Sequence, residues 1–375
     1  MDDLTRLLGE LVAIPSINPF GGEGPAETEL ANFLLTFLRH QKIDCELQPV
    51  LPPRSNVIAK IEGGQRRLLL EAHMDTVKVD GMEIAPFEPK VEGNRLYGRG
   101  ACDTKASLAA MLLAVRDAAA AKDFTSTIVV AATADEEFTF KGALALCDWL
   151  RADGLPGGAV VGEPTDLALV IAHKGVVRWR LRTRGVSAHS SAPQKGVNAI
   201  YRMAKLLGHV EQYANGLLRS APQPLLGTPT MNVGTIRGGQ TVNTVPDLCT
   251  VEIERRTLPG EDPGAVYRAA NEYLREAAGV EFEAEEPFLV DHSLQTPSDA
   301  HIVRLLREVL TRLGVDAKLE GAPYGTDASK FARIGVPSLV FGPGSVAQCH
   351  TACEFVDLAQ VRLAYRAYRE LIRNF

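Results

Sequence analysis

Apolar residues return every third or fourth position in two stretches near the start of the chain, 3 to 13 and 26 to 40, where Leu30, Phe33, Leu34 and Phe37 form a stripe. That period marks one face of a helix, so both segments are expected to lie as surface helices over a sheet. Elsewhere apolar residues run almost unbroken: RRLLLEAH at 66 to 73, STIVVAAT at 126 to 133, GAVVGE at 158 to 163 and VPSLVFG at 336 to 342. Such runs fit strands buried on both faces. Helical patterns at 104 to 121 and 141 to 151 separate the first three. Strand and helix in alternation predict an α/β domain with a mostly parallel sheet wrapped by helices.

The middle of the chain has another texture. Residues 175 to 184, GVVRWRLRTR, alternate strictly, with Val177, Trp179, Leu181 and Thr183 on one face and four arginines on the other. This is the pattern of a one-sided strand, whose arginine face is read as an exposed sheet surface. A helix near 197 to 212, strands near 229 to 236 and 247 to 256, a helix near 263 to 277 and a strand near 280 to 285 complete a βαββαβ order. That is the split βαβ arrangement of a small two-layer domain. Helix 298 to 313 and strand 336 to 342 then return to the first texture. The expected division is 1–174 with 287–375 as one domain and 175–286 inserted into it.

Composition narrows the function classes. With 375 residues, two cores are expected, and 46% hydrophobic with 23% charged residues is ordinary for a soluble globular chain. No apolar run approaches the roughly 18 residues of a membrane helix, and the acidic start MDDLTRLLGE lacks the pattern of an export signal. A net charge of −6 argues against nucleic acid as a partner. The six cysteines (45, 102, 147, 249, 349, 353) form no CxxC pair and read as reduced thiols. A cytoplasmic enzyme with no membrane partner is the expectation.

Candidate ligands fall where the strands end. His73 and Asp75 close the first apolar run; Asp135, Glu136 and Glu137 follow the second; Glu163 closes the third; His350 lies in the loop after the fourth; and Asp103 sits at an expected helix start. Taken singly, each has an ordinary structural role as a helix cap, a turn or a solvated loop. Taken together, carboxylates at the ends of buried strands are costly unless a cation or a hydrogen-bond network compensates them. In open α/β sheets ligands bind outside the carboxyl ends of the strands. The nitrogen and oxygen donor set suits catalytic zinc. His73 and Asp75, two apart, can share a face, so that Asp75 accepts the second ring N–H of His73.

Eight segments together resemble a known family: HMDTV (73 to 77), LYGRGACDTK (96 to 105), DEE (135 to 137), GEPTD (162 to 166), HKGVVRWRLRTRGVSAHSSAPQKGVNAI (173 to 200), NTVPD (243 to 247), YGTDAS (324 to 329) and GPGSVAQCH (342 to 350). They are similar to the co-catalytic zinc family that includes acetylornithine deacetylases, succinyl-diaminopimelate desuccinylases, aminoacylases and glutamate carboxypeptidases. The resemblance implies a dizinc hydrolase domain with an inserted dimerisation or lid domain that can close on substrate. It implies one zinc on His73, Asp103 and Glu163 and a second on Asp103, Glu137 and His350, with cobalt or manganese as substitutes. It further implies Glu136 as general base, Asp75 behind His73, and His189 reaching the scissile carbonyl from a partner subunit. Asn243, Arg256, the backbone at Gly325 and, as an aid, Lys174 would hold the substrate carboxylate. The expected reaction is hydrolysis of the amide of a small N-acyl amino acid by a homodimer. GPGSVAQCH leans toward N-acetylornithine-like substrates.

Some positions depart from the family pattern. Phe138, Thr139 and Phe140 follow DEE where glycines are usual, Lys78 replaces a common proline, and TACE at 351 to 354 differs from the usual polar ending. Cys102, Cys349 and Cys353 neighbour candidate ligands, but the carboxylates already fill the coordination. Competing readings are a dipeptidase or carboxypeptidase acting on short peptides, an inactive binding protein of this fold, and a nucleotide-binding protein. The last is disfavoured because no GxGxxG follows the first strand.

Overall fold

A computed structural model describes residues 2–22 and 26–375. Helices α1 (Asp3–Ala13) and α2 (Thr28–His40) open the chain, and each buries its stripe, Leu4, Leu7, Leu8 and Leu11 in one and Leu30, Leu34 and Leu38 in the other. Asp2 caps α1 by accepting the Thr5 amide N–H at 2.7 Å. There follow β1 (Asp44–Leu51), β2 (Arg54–Ile61), β3 (Gly64–His73), β4 (Lys90–Glu92), β5 (Arg95–Tyr97), α3 (Lys105–Ala121), β6 (Ser126–Thr133), α4 (Lys141–Asp153), β7 (Gly158–Val161) and β8 (Leu169–His173). The middle comprises β9 (Gly175–Arg184), α5 (Ala199–Leu217), β10 (Thr230–Gly238), β11 (Leu248–Thr257), α6 (Pro263–Ala277), β12 (Glu283–Ala284), β13 (Leu289–Asp291) and β14 (Leu294–Gln295). The chain ends with α7 (His301–Arg312), β15 (Leu319–Ala322), α8 (Ala328–Arg333), β16 (Ser338–Val340), β17 (Phe355–Asp357) and α9 (Leu358–Asn374).

Two compact units result. One comprises residues 1–171, 296–320 and 326–375, and the other 172–295 and 321–325. The second extends past 286 because β13 pairs with β9 of its sheet, whereas β14 pairs with β8 at the margin of the large sheet.

In the first unit the four continuous apolar runs form the sheet centre, in the order β6-β3-β7-β16 and all parallel. The hairpin β1–β2 adds an antiparallel margin beside β6, and β8 lies antiparallel to β16. Periodicity did not reveal β1 because it is a largely exposed edge strand interrupted by Pro49. Parallel strands bring their carboxyl ends to one edge of the sheet. His73 pairs with Thr133, Glu71 with Val161, and Val161 with Val340, so the segments that follow β3, β6, β7 and β16 all emerge there. Helix α3, rich in alanine, is buried along most of its length and lies close against these ends. A Cβ on Gly162 would stand 2.6 Å from Ser107 Cβ and 3.2 Å from Ala72 Cβ, so only glycine admits this approach. Among the described residues no helix is long and apolar enough to cross a membrane.

The second unit is a sheet in the order β10-β11-β9-β12, with β13 also paired to β9. Val177, Trp179 and Leu181 from β9 and Val251 and Ile253 from β11 share a core with Met203 and Leu206 of α5 and Leu274 of α6. The strand expected at 280 to 285 shrinks to Glu283–Ala284, and β13 resumes the ladder after Pro287, which has no N–H to donate. The four arginines of β9 do not form a free basic face. Arg178 pairs with Glu254 at 2.7 Å, Arg180 with Glu252 at 2.9 Å, Arg182 with Glu285 at 2.5 Å and Arg184 with Glu283 at 2.6 Å. Such solvent-screened pairs add little stability, but as a ladder they favour one strand register.

Trp179 is fully buried, with Tyr267 edge-on at 5.6 Å between ring centroids. Trp179→Ala is expected to destabilise the second unit by about 3–5 kcal/mol, read as a lowered urea midpoint by circular dichroism. A shift equivalent to under about 1 kcal/mol would mean that the ring is not the centre of this core.

Candidate metal centre

Five side chains from separate segments of the first unit meet at the carboxyl edge of its sheet. His73, the last residue of β3, is 2% exposed, and its Nε2 lies 3.0 Å from Asp103 Oδ1 and 3.7 Å from Glu163 Oε1. Asp103 precedes α3 without capping it, and its second oxygen, Oδ2, lies 3.2 Å from His350 Nε2. The same His350 nitrogen is 3.2 Å from Glu137 Oε1. Two groups of donor atoms therefore form, His73 with Asp103 and Glu163, and Asp103 with Glu137 and His350, each with its atoms within 4.8 Å of one another. Asp103 belongs to both.

Asp75 and Glu136 stand outside both groups. The Nδ1 of His73 meets the main-chain carbonyl of Asp75 at 2.9 Å, while the Asp75 carboxylate is 3.6 Å away. The side-chain hydrogen bond expected from the two-residue spacing is thus replaced by a backbone one. The carboxylate is occupied elsewhere. Its Oδ1 accepts the amide N–H of Glu136 at 3.1 Å, and its Oδ2 accepts the amide N–H of Glu137 at 3.0 Å and Asn18 Nδ2 at 2.8 Å. Asp75 therefore holds the acidic loop by its backbone and leaves both glutamate side chains free to point apart.

Behind this loop lies a buried network that sequence reasoning missed. Arg54, 5% exposed, donates to both oxygens of Glu27 and, at 3.0 Å, to Asp135. Asn18 Nδ2 also reaches Asp135 at 3.1 Å, joining it to Asp75. Asp135 adopts φ 69° and His350 φ 60°, left-handed conformations that non-glycine residues hold only when their surroundings fix them. Asn18 and Arg54 lie in unremarkable sequence, so only their spacing through the fold could have disclosed them.

The charges explain why such support is needed. Burial raises the pKa of Glu163, Glu136 and Glu137, and neighbouring carboxylates raise them further. Burial also opposes charge on Asp103, but hydrogen bonds from His350 and His73 outweigh it and hold the carboxyl well below its usual range. The His350 imidazole is pushed up to about 10 by its bonds to Asp103 and Glu137. Acidic groups thus outnumber basic ones in a poorly solvated space, with oxygen and imidazole donors converging on two points. This donor chemistry fits divalent cations of the kind bound by carboxylate and histidine.

Residues 69–374 of the chain match peptidase family M20/M25/M40. The chain belongs to this family. Acetylornithine deacetylase from Photorhabdus laumondii is 33% identical over 382 residues, a match covering 99% of this chain and 96% of that protein. The enzyme of the same name from Proteus mirabilis is 33% identical over 385 residues, with 99% and 96% covered. Among solved structures, an M20 family metallo-carboxypeptidase from Sulfolobus solfataricus superposes with a TM-score of 0.84 at 19% identity, over 100% of this chain and 99% of that one. A dinuclear metal binding peptidase of the family from Bacillus subtilis gives 0.73 at 18%, over 99% and 96%. Membership makes the chain a metal-dependent hydrolase of amide bonds.

The remaining family-derived positions lie in the second unit. His189 shares a hydrogen bond with Ser191 Oγ at 2.7 Å and sits beside Asn243, whose carbonyl accepts the Ser190 amide at 3.0 Å. Strand alternation separates Arg255 and Arg256: Arg255 is 1% exposed, whereas Arg256 is half-buried and donates to Glu254 at 2.7 Å. Lys174 is mostly buried and donates to the Thr228 carbonyl at 2.6 Å; burial, then Arg255 and Arg256, lower its pKa. Gly325 lies against Asp291, since a Cβ there would come within 2.4 Å of its Oδ2. In the first unit, two departures from the family pattern meet at one ring: Phe138 packs edge-on against Phe20 at 5.9 Å, and Lys78 Nζ lies 5.5 Å over the same ring. Phe138 also lines an apolar cleft with Pro19, Leu51, Pro52 and Pro53. All six cysteines are free thiols.

Removing Arg54 would leave Glu27 and Asp135 as buried carboxylates without their guanidinium. Arg54→Met is expected to cost about 3–5 kcal/mol of stability in urea denaturation. An unchanged midpoint would show that the network does not depend on this cation.

Proposed function

We propose that this chain is a dizinc deacylase of small N-acyl amino acids, with substrates of the N-acetylornithine type. The observation that carries this reading is Asp103, whose Oδ1 meets His73 and whose Oδ2 meets His350. In this reading His73, Asp103 and Glu163 hold one zinc, and Asp103, Glu137 and His350 hold the other. Cobalt and manganese fit the same donors. The bound cations supply an acidified water and a Lewis acid for the amide oxygen.

Glu136, adjacent to the donors but outside both groups, takes the proton from the attacking water and delivers it to the departing amine. Burial raises its pKa, which favours a carboxylate able both to accept and to release a proton. His189 of the partner subunit stabilises the charge developing on the carbonyl oxygen. Arg256, aided by Lys174, Asn243 and the backbone of Gly325, holds the substrate carboxylate. The protein acts as a homodimer, and its free thiols support a cytoplasmic setting. The deacetylase relatives at 33% identity support the acyl amino acid over a peptide as substrate.

Chelation should abolish turnover and zinc should restore it, while Glu136→Gln keeps two metals and loses nearly all turnover and Glu137→Gln loses metal. Metal analysis beside initial rates reads both, and equal metal loss in the two variants would overturn this division of labour. A panel of N-acetylornithine, N-succinyl-diaminopimelate, N-acetylmethionine and a dipeptide should show highest kcat/KM for the first, and preference for the dipeptide would replace the deacylase with a peptidase. Arg256→Ala should raise KM for the preferred anionic substrate; an unchanged KM removes it from the site.

A further inference from the structure

Glu354 is fully buried yet belongs to neither donor group. Its Oε1 accepts the amide N–H of Cys102 at 2.9 Å and that of Asp103 at 3.1 Å, and its Oε2 accepts Arg99 Nη1 at 2.6 Å. Arg99, 3% exposed, also donates through Nη2 to the Thr351 carbonyl at 3.3 Å. All three bonds to the carboxylate come from the turn that carries Asp103. Glu354 itself lies four residues after His350.

The meeting is set by a small sheet. Strand β17 runs antiparallel to β5, with Phe355 opposite Tyr97 and Val356 opposite Leu96. Glu354, just before β17, therefore falls opposite the turn that leaves β5, and the Gly98 amide donates to its carbonyl at 3.1 Å. The two donor groups depend unequally on this contact. His73 ends β3 and Glu163 follows β7, strands already fixed to each other by the central ladder. His350 comes from a loop, with half its side chain exposed and a left-handed backbone.

We propose that Glu354 is a positioning residue that clamps the Asp103 turn to the His350 loop and thereby sets the metal affinity of the group formed by Asp103, Glu137 and His350. The inference rests on the two-metal reading above. A carboxylate accepting two adjacent amides fixes the direction of the Asp103 backbone, and Arg99 compensates its charge. The same residue is the anchor of the segment that delivers His350.

Zinc titration calorimetry of the metal-stripped full-length protein tests it. Glu354→Gln keeps the shape but places an amide N–H₂ against either Arg99 or the turn amides. One zinc equivalent should bind as in the wild type and the other about 10–100-fold more weakly. Excess zinc should restore kcat with KM unchanged, and the visible spectrum of cobalt in the weakened group should change. Glu354→Asp, which withdraws the carboxylate by one methylene, should give the same pattern and serves if Glu354→Gln does not fold. Wild-type affinity for both equivalents, equal weakening of both, or turnover that excess zinc does not restore would overturn the proposal. A wild-type protein that fails to bind two equivalents would instead overturn the metal reading.

Discussion

The Asp103 carboxylate lies between two imidazoles, 3.0 Å from one and 3.2 Å from the other, and the rest of the site is organised around the charge gathered there. Acidic side chains close to this point are buried, and each raises the cost of ionising the next. A folded chain can keep such a cluster only if cations and hydrogen-bond donors share it. Here the histidines provide the first part of that compensation from the protein itself. The geometry of the donors leaves two points of convergence where a divalent cation would provide the remainder.

Support for the cluster comes in layers that use backbone as much as side chain. Asp75 binds the acidic loop through two amides, so Glu136 and Glu137 are positioned without competing for its carboxylate. Asn18 and Arg54 then tie Asp75 and Asp135 to Glu27 behind the loop. Across the site, Glu354 does the corresponding work on the turn that carries Asp103. Left-handed conformations at Asp135 and His350 sit in these braced segments, which fits the general pattern that strained backbone persists where surrounding bonds over-determine it.

The second unit obeys different physics. Its sheet is covered on one face by α5 and α6, and its other face carries the arginine–glutamate ladder. Such a ladder adds little stability but is complete only in the observed register, which a slip would disrupt. The polar residues that the family resemblance singles out fall into two places in this unit. His189 and Asn243 lie in adjoining loops, while Lys174 and Arg256 lie close enough for the charge of one to depress the pKa of the other.

By itself the sequence determined the four central strands, most helices, the two textures and the placement of candidate donors at the strand ends. Continuous apolar runs of that length bury both faces of a strand, and a donor placed just beyond such a run has only one edge of a parallel sheet to go to. Tertiary structure decided what depends on contacts between distant segments. The exposed hairpin strand β1 has no apolar pattern to betray it, and only the ladder to β9 limits the strand near 280 to 285 to residues 283–284. His73 takes a carbonyl of Asp75 instead of its carboxylate because that carboxylate is claimed by amides from another loop. Asn18 and Arg54 carry no periodicity or motif of their own, and the segments that contain Arg99 and Glu354 do not reveal that the two pair, since what makes all four matter is a hydrogen-bond partner tens to hundreds of residues away.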